Sequence, residues 1–219
     1  ADLANTHGQK VLLVYANLSA PNAGLHMDVV NPEKTLHHVM SGKSRGKDAV
    51  HSRHGVDVVP GSYVWNGKMN ALQLKDKIKG MSKKYDYTVL DSSPSLHDEL
   101  LGSVLASDHV FLVSTPDYPT MSATLRAAGL AKQRGKDIAG IVVNKIRDPK
   151  HELNLAEIEE VTGIPVVAKI PDDKANIAAL FARKPTTLHK PRCKFSKSVK
   201  KLSAAIANKP EPAGFLGGL

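Results

Sequence analysis

The chain alternates short, β-branched apolar runs with longer amphipathic stretches, and this alternation constrains its fold more than any other feature. It is the pattern of βαβ units that feed a mostly parallel sheet. The apolar runs predict strands at Lys10–Tyr15, Val56–Val59, Tyr87–Asp91, His109–Ser114, Ile138–Val143 and Pro165–Lys169. The amphipathic stretches predict helices at Leu72–Lys84, Thr120–Gly135, Leu155–Thr162 and Ser196–Ala207, the last two capped by Asn154 and Ser196. We therefore predict an α/β fold in which a mostly parallel twisted sheet carries helices on both faces.

The length of 219 residues favours a single domain with one sizeable core. We expect this domain to span residues 1–208, because residues 209–219 are rich in proline and glycine and read as a flexible tail. The sequence has no run of 18 apolar residues, and its first residues do not resemble a signal peptide. Cys193 is the only cysteine, which favours a reducing compartment, and we expect the protein to be cytoplasmic.

Polar residues follow the predicted strands where a doubly wound sheet binds its ligands, beyond the carboxyl ends of the strands. Asp91 ends an apolar strand, where an ionised carboxylate needs partners that a bound Mg²⁺ would supply. The alternative is that Asp91 caps the next turn or helix. Asn144 ends another strand, where its amide could read a purine edge or simply form a turn.

These motifs resemble the MinD/ParA family of deviant Walker A ATPases, with an archaeal MinD-like character. The segment Lys10-Val-Leu-Leu-Val-Tyr-Ala-Asn-Leu-Ser-Ala-Pro-Asn resembles the family's second strand and switch I. Leu90-Asp-Ser-Ser-Pro-Ser resembles the Walker B strand and switch II. The remaining motifs follow in the family's order: Thr115-Pro-Asp-Tyr-Pro-Thr, Val143-Asn-Lys-Ile-Arg and Ile170-Pro-Asp-Asp. The resemblance covers residues 3–207.

The resemblance implies a site for ATP and Mg²⁺. It places Asp91 near the metal, Pro94 in switch II, and three residues at the border of the adenine: Asn144, Pro171 and Asp172. Asn17 falls at the switch I position where many members place an aspartate near the attacking water. Because an amide cannot accept the proton of that water, activity would depend on positioning and electrostatics.

The function that the resemblance implies is an ATP-dependent molecular switch in spatial positioning or partition. Such a switch dimerises with a second copy across two nucleotides and recruits a partner protein, which the sequence does not identify. On this interpretation the chain would act in the cytoplasm or at the periphery of a membrane or nucleoid.

Two departures from the family bear on activity. Tyr15 stands where the family ends its second strand with an aspartate. We also expect the chain to begin inside the family's first helix, so that the first strand and its glycine-rich Lys-Thr loop are absent. That absence would expose the strands ending at Asp91 and near Ser114, between which the family's first strand lies. Two explanations stay open: a shortened form of a longer ATPase, or a descendant that has lost catalysis.

A second hypothesis is a non-catalytic binding module on the same fold. Lysine and arginine outnumber aspartate and glutamate by 30 to 21, which favours polyanionic neighbours. The densest basic stretch, residues 189–201, could contact nucleic acid, an acidic protein or an anionic membrane, or could be a solvated helix face. The pairs His37/His38 and His51/His54 lack acidic or cysteine partners at ligand spacing, so a metal site there is disfavoured.

Overall fold

The computed structural model describes residues 1–20, 22–94, 97–148 and 150–208. Seven strands lie in this part of the chain: β1 (Val11–Tyr15), β2 (His51–Arg53), β3 (Val56–Val59), β4 (Tyr87–Asp91), β5 (His109–Ser114), β6 (Asp137–Ile146) and β7 (Val166–Pro171). Its helices are α1 (Asp2–Asn5), α2 (Ala23–His26), α3 (Leu36–Met40), α4 (Leu74–Ser82), α5 (Asp98–Ala106), α6 (Tyr118–Gln133), α7 (Leu155–Thr162), α8 (Ala175–Phe181), α9 (Thr186–His189) and α10 (Lys194–Ala207). The predicted tail, residues 209–219, lies outside the described residues.

The strands form two sheets, with the orders β2-β3-β1-β4 and β5-β6-β7. Every pair is parallel except β2 with β3. The α/β fold and the mostly parallel pairing are therefore confirmed, although the strands divide between two sheets instead of forming one. The predicted exposed edges agree with this division, because β4 and β5 each pair with one neighbour among the described residues.

The first sheet buries both of its faces. On one side Leu12 and Val14 of β1 pack with α3, α4 and the 3₁₀ turn at Ala71–Gln73. On the other side Val11 packs with α1 and with Met27. A parallel strand covered on both faces is apolar at successive positions, which is why β1 reads as an unbroken apolar run. Each fully buried aliphatic side chain of this kind contributes about 1.5–3 kcal/mol to stability.

The second sheet is covered in the same way. Ile141 and Val143 of β6 face a core that contains residues of α6 and α7. The residue between them in the strand, Val142, faces the opposite side, where Val167 and the apolar stripe of α10 cover it. Helices therefore lie on both faces of this sheet too, as predicted.

Contacts at both ends of the strands join the two sheets. Near the amino ends, the Ser203 hydroxyl of α10 donates to the carboxylate of Asp2 in α1, and the Tyr87 hydroxyl donates to the Ile206 carbonyl over 3.1 Å. Near the carboxyl ends, α2 follows β1 and α8 follows β7, and these two helices are in contact. The loops that follow β1 and β7 therefore lie on the same side of the molecule.

The local signals for helix ends were partly correct. Asn154 caps α7 as predicted, in a reciprocal capping box with Glu157. The predicted cap of the last helix is wrong: α10 begins at Lys194 behind Cys193, whose Sγ accepts from the Ser196 amide over 3.4 Å. Ser196 itself is buried and donates to the Thr186 carbonyl. A residue that favours a cap can therefore be recruited by a distant acceptor instead.

Element boundaries moved by a few residues elsewhere. The predicted helix at Leu72–Lys84 is the 3₁₀ turn followed by α4, and the one at Thr120–Gly135 is α6, which Asp117 caps through the Thr120 amide. Strand β2 and helices α2, α3, α5, α8 and α9 were not predicted. Among the described residues, none of the helices has both the length and the apolar character that crossing a bilayer requires.

Candidate functional site

Asn17, Asp91 and Pro94 lie at the carboxyl end of the first sheet. Tyr15 and Asp91 are paired in register at the ends of β1 and β4, and the Ala16 amide continues the ladder by donating to the Asp91 carbonyl over 2.9 Å. The loops after these two strands therefore start side by side. The structure brings Asn17 and Asp91 to the same edge, as the sequence predicted from the ends of the strands.

The loop after β1 is held by side chains at both of its ends. The Tyr15 hydroxyl donates to the Ala20 carbonyl over 2.8 Å and accepts from the Asn22 amide. Within the loop, the Asn17 side-chain oxygen accepts from the Ala20 amide over 3.2 Å. Tyr15 is buried, with 3% of its surface exposed. The sequence offered no account of Tyr15 beyond a lost carboxylate, and the structure shows that its hydroxyl shapes this loop.

Asp91 does not cap the next helix. That helix, α5, begins at Asp98, and its N-cap position is held by His97. The side chain of Asp91 is exposed at the end of β4, but the protein around its carboxyl group removes part of the water there. This partial desolvation raises the pKa of Asp91 above the ordinary value of 3.8, and His26 acts in the opposite direction. A carboxylate held at a strand end against this cost is typical of sites that bind a cation or a proton.

Asn144, Pro171 and Asp172 meet at the carboxyl end of the second sheet. Pro171 is paired with Ile146, and the Asp172 amide donates to the Ile146 carbonyl over 2.9 Å. The Asp172 carboxylate forms an ion pair with Arg147, whose Nε lies 2.6 Å from Oδ2. The structure therefore places the three predicted residues at one edge.

Asn144 lies inside β6, at an irregularity in its pairing with β7, and neither ends the strand nor forms a turn. Its side-chain oxygen accepts from the Lys145 amide over 2.9 Å, and Lys145 has a φ of +57° in the left-handed region. This conformation interrupts the register between β6 and β7. The side chain is half-buried, and its amide nitrogen is the group that it could offer to a ligand.

Sequence reasoning missed His37, which lies under the loop after β1. Its Nδ1 accepts from the Ser62 amide over 3.0 Å, so Nε2 carries the ring proton and donates to the Leu18 carbonyl over 3.1 Å. The ring is 1% exposed, and burial lowers its pKa below the ordinary value of 6.5. The histidine pair offered no signal for this role, because both partners of His37 are backbone groups distant in the chain.

The other three histidines of the two pairs also have partners within the protein: the Nδ1 of His38 contacts Thr35, and His51 and His54 contact backbone carbonyls. His38 caps α3 together with Thr35, and it lies edge-on to Trp65 with 5.2 Å between the ring centroids. The Nε2 atoms of His51 and His54 lie 3.1 Å and 3.0 Å from the carbonyl oxygens of Lys34 and Arg183.

The donors at the two sheet ends fit part of a nucleotide site. The Asp91 carboxylate is the kind of hard oxygen ligand that Mg²⁺ takes, and it is exposed at the carboxyl end of β4. No stretch of the 219 residues contains the Gly-x-x-x-x-Gly-Lys-Ser/Thr pattern that cradles phosphates. Among the described residues, no cluster of three or more histidine, cysteine or acidic side chains could hold a metal by itself, so Asp91 could supply one ligand of such a site.

Comparisons with known proteins agree with this geometry. A family model described as an AAA domain matches residues 102–179. An uncharacterized ATP-binding protein of Methanocaldococcus jannaschii is 25% identical over 206 residues, which cover 93% of this chain and 78% of that protein.

Two solved structures are similar over most of their length. The cell division ATPase MinD of Pyrococcus furiosus superposes with a TM-score of 0.86 at 28% identity, covering 92% of this chain and 86% of that one. The septum site-determining protein MinD of Pyrococcus horikoshii, complexed with Mg-ADP, superposes with a TM-score of 0.87 at 25% identity, covering 93% and 85%. The fold and these similarities support the assignment to the MinD/ParA family that the sequence motifs suggested.

Proposed function

We propose that this chain forms the body of an ATP-dependent molecular switch that acts in spatial positioning or partition and dimerises when nucleotide is bound. One observation carries the proposal: Asn17 and Asp91 meet at the carboxyl end of the first sheet, while Asn144, Pro171 and Asp172 meet at that of the second. Ligands of open α/β sheets bind at this edge. The similar protein from Pyrococcus horikoshii was solved with Mg-ADP, which supports the choice of nucleotide.

Each predicted residue has a role that its chemistry allows. Asp91 would provide an oxygen ligand for Mg²⁺, and when bound this ion would neutralise charge on the phosphates. The Asn17 amide, fixed by its turn with Ala20, would orient a water molecule. Asn144 and Asp172 would border the base, with Asp172 held in place by Arg147. Pro94 is exposed in the loop after β4, and this loop would change its conformation when the terminal phosphate is removed.

The phosphates would be held by a strand and glycine-rich loop that pair between β4 and β5. Two observations support this part of the proposal. Each of these strands pairs on one side among the described residues. Each strand also has an exposed valine: Val89 of β4 is 42% exposed and Val113 of β5 is 61% exposed. Such exposure is expected when a neighbouring segment that would pack against the strand is missing.

The test compares the 219-residue chain with a version extended upstream by the residues of its natural protein. Isothermal titration with ATP and Mg²⁺ should detect binding only in a version that contains the loop, and sedimentation should then show an ATP-dependent dimer. In that version Asp91→Ala should abolish the Mg²⁺ dependence of binding, while Glu160→Gln, an exposed change on α7, should leave it intact. A loop-containing protein that neither binds ATP nor dimerises with it would contradict the proposal.

A second candidate function, a basic module that binds nucleic acid, is favoured by the surface around α10. Five exposed basic side chains lie in and just before α10: Lys190, Arg192, Lys194, Lys197 and Lys201. Within the described residues, none of these five side chains takes part in an ion pair. If they contact phosphates, the logarithm of affinity for DNA should fall with the logarithm of salt concentration by about 0.9 for each contact. Binding that does not change with salt would exclude this function, and binding to anionic vesicles instead of DNA would assign the surface to lipid.

A further inference from the structure

Glu99 links the loop after β1 to the helix that follows β4. Glu99 is the second residue of α5, and its carboxylate accepts two hydrogen bonds from Ser19, one from the hydroxyl and one from the backbone amide over 3.3 Å. The two residues are 80 positions apart in the chain. Ser19 comes two residues after Asn17, so the bonds act directly on the loop that carries the predicted water-orienting group. Hydrogen bonds to a charged acceptor are stronger than those between neutral groups.

The first turns of α5, which carry Glu99, pack closely against the rest of the protein. Gly102, one turn beyond Glu99, lies so close to the 3₁₀ turn at Ala71–Gln73 that a Cβ on it would be 2.2 Å from the Ala71 carbonyl oxygen. The Ser103 hydroxyl also donates to the Glu99 carbonyl over 2.9 Å. The first turn of α5 therefore cannot shift without disturbing this packing, and it offers Ser19 a fixed anchor.

The loop side is held by His37, which donates to the carbonyl of Leu18. Leu18 and Ser19 are thus each held by a side chain, His37 and Glu99, and all four residues line a cleft of about 590 Å³ together with Trp65 and Met69. Trp65 is the only tryptophan in the sequence, and its ring centroid lies 5.7 Å from that of His37. The molecule therefore contains an optical probe within contact distance of the loop anchor.

We propose that Glu99 is a positioning residue that couples the loop carrying Asn17 to the helix after Asp91, so that the two follow each other when either moves. The reason is geometric. The carboxylate holds both the side chain and the backbone of Ser19, so the loop cannot leave its position without breaking two hydrogen bonds or carrying the first turn of α5 with it. Calling these segments the two switches rests on the proposed function, whereas the coupling itself rests on the contacts alone.

The experiment measures amide hydrogen exchange and Trp65 fluorescence in the nucleotide-free protein. Losing two hydrogen bonds to a carboxylate should speed exchange of the Ser19 amide by about tenfold or more in Glu99→Ala, because loop opening then costs less. Acrylamide should quench Trp65 more strongly in the same variant. Glu99→Gln retains one acceptor oxygen and should fall between the two, and the remote change Glu160→Gln should match the wild type.

Changes at Ser19 separate coupling from a general loosening of the fold. Ser19→Ala removes the hydroxyl bond, and Ser19→Thr keeps it and should restore protection. If the two residues act through each other, the double variant Ser19→Ala/Glu99→Ala should exchange no faster than Glu99→Ala alone. Unchanged exchange at Ser19 in Glu99→Ala, or fully additive effects in the double variant, would overturn the inference. Because no nucleotide is used, these outcomes are independent of whether the protein binds ATP.

Discussion

At the scale of single residues, Asp91 combines a raised pKa with a position at the carboxyl end of the first sheet. The fold raises the pKa of Asp91 above 3.8 because neighbouring groups partly desolvate its carboxyl, although the residue is exposed. The folded protein therefore prefers the protonated carboxyl more than the unfolded chain does. The stability lost in this way is absent at low pH and grows as the pH rises through the raised pKa. Residues that destabilise a fold in this manner are commonly retained for binding or catalysis.

We therefore expect Asp91→Asn to increase the free energy of unfolding at pH 7.5, and to increase it less at pH 4.5, where more of the native carboxyl is protonated. Urea unfolding monitored by circular dichroism at the two pH values measures the difference. Asp108→Asn, an exposed position between α5 and β5, is the control and should show little change at either pH. A stability loss in Asp91→Asn at neutral pH would mean that a cation in the protein already compensates the carboxylate.

His37 has the opposite pH dependence. Burial lowers its pKa below 6.5, so the unfolded chain binds a proton more tightly than the folded protein does. A proton on Nδ1 would also face the Ser62 amide, which is itself a donor. The free energy of unfolding should therefore fall as the pH decreases through 6.5.

Replacing His37 tests this dependence. His37→Ala should cost about 2–4 kcal/mol at pH 7.5, because it empties a buried site and leaves the Leu18 carbonyl and the Ser62 amide without their partner. Below pH 6 the gap between variant and wild type should narrow, since the wild type alone carries the penalty of protonation at this position. Denaturant titrations from pH 5 to 8 measure both effects, and a gap that widens on acidification would contradict the assignment.

At the scale of elements, the close packing of α5 against the 3₁₀ turn at Ala71–Gln73 depends on Gly102, which has no side chain. A Cβ at Gly102 would meet the Ala71 carbonyl carbon and oxygen at 2.8 Å and 2.2 Å, and both are backbone atoms that cannot rotate away. Gly129 is also inside a helix, α6, but nothing lies within 4 Å of its Cβ position. The two glycines thus differ in packing and not in backbone class.

Alanine at these two positions should change stability in opposite directions. Gly102→Ala should destabilise the protein by about 1–3 kcal/mol through overpacking against the 3₁₀ turn. Gly129→Ala should stabilise it by about 0.5–1 kcal/mol, because alanine loses less backbone entropy in a helix. Thermal unfolding of both variants beside the wild type makes the comparison, and equal shifts would show that α5 is free to move away from the turn.

Element prediction succeeded where the signal is local and periodic. All six predicted strands exist, since an apolar run buried on both faces has few alternative structures, and α7 begins behind Asn154 because its capping box lies within four residues. Helices α5 and α8 went unpredicted. In α8 the apolar residues Ile177 and Phe181 are exposed, so the apolar positions of this helix do not mark a single buried face.

At the scale of the whole molecule, the division into two sheets predicts an uneven pattern of protection. β1 lies between β3 and β4, and β6 lies between β5 and β7, so their amides and carbonyls are paired on both sides. β4 and β5 pair on one side among the described residues, which leaves alternate amides of each strand without a ladder partner there. Protection from exchange should follow this difference.

Alternate amides of β4 and β5 should therefore exchange at least about tenfold faster than those of β1 and β6 in the 219-residue chain, as measured by residue-resolved hydrogen exchange. The central strands serve as the internal control. In a version that contains the phosphate-binding strand, the fast amides should become protected. Equal protection of β4 and β1 in the shorter chain would show that another segment already pairs with β4.

Local sequence was sufficient to predict the α/β class, the parallel strands and the polar residues at their carboxyl ends, because side-chain periodicity and strand-end motifs depend on neighbours in the chain. The tertiary structure decided the partition into two sheets, the burial of His37, the role of Tyr15 and the link between Ser19 and Glu99. Each of these last features depends on which groups packing brings together, in the case of Ser19 and Glu99 across 80 positions. A hydrogen bond of that kind leaves no periodic trace in the sequence, since its acceptor is chosen by the fold and not by spacing.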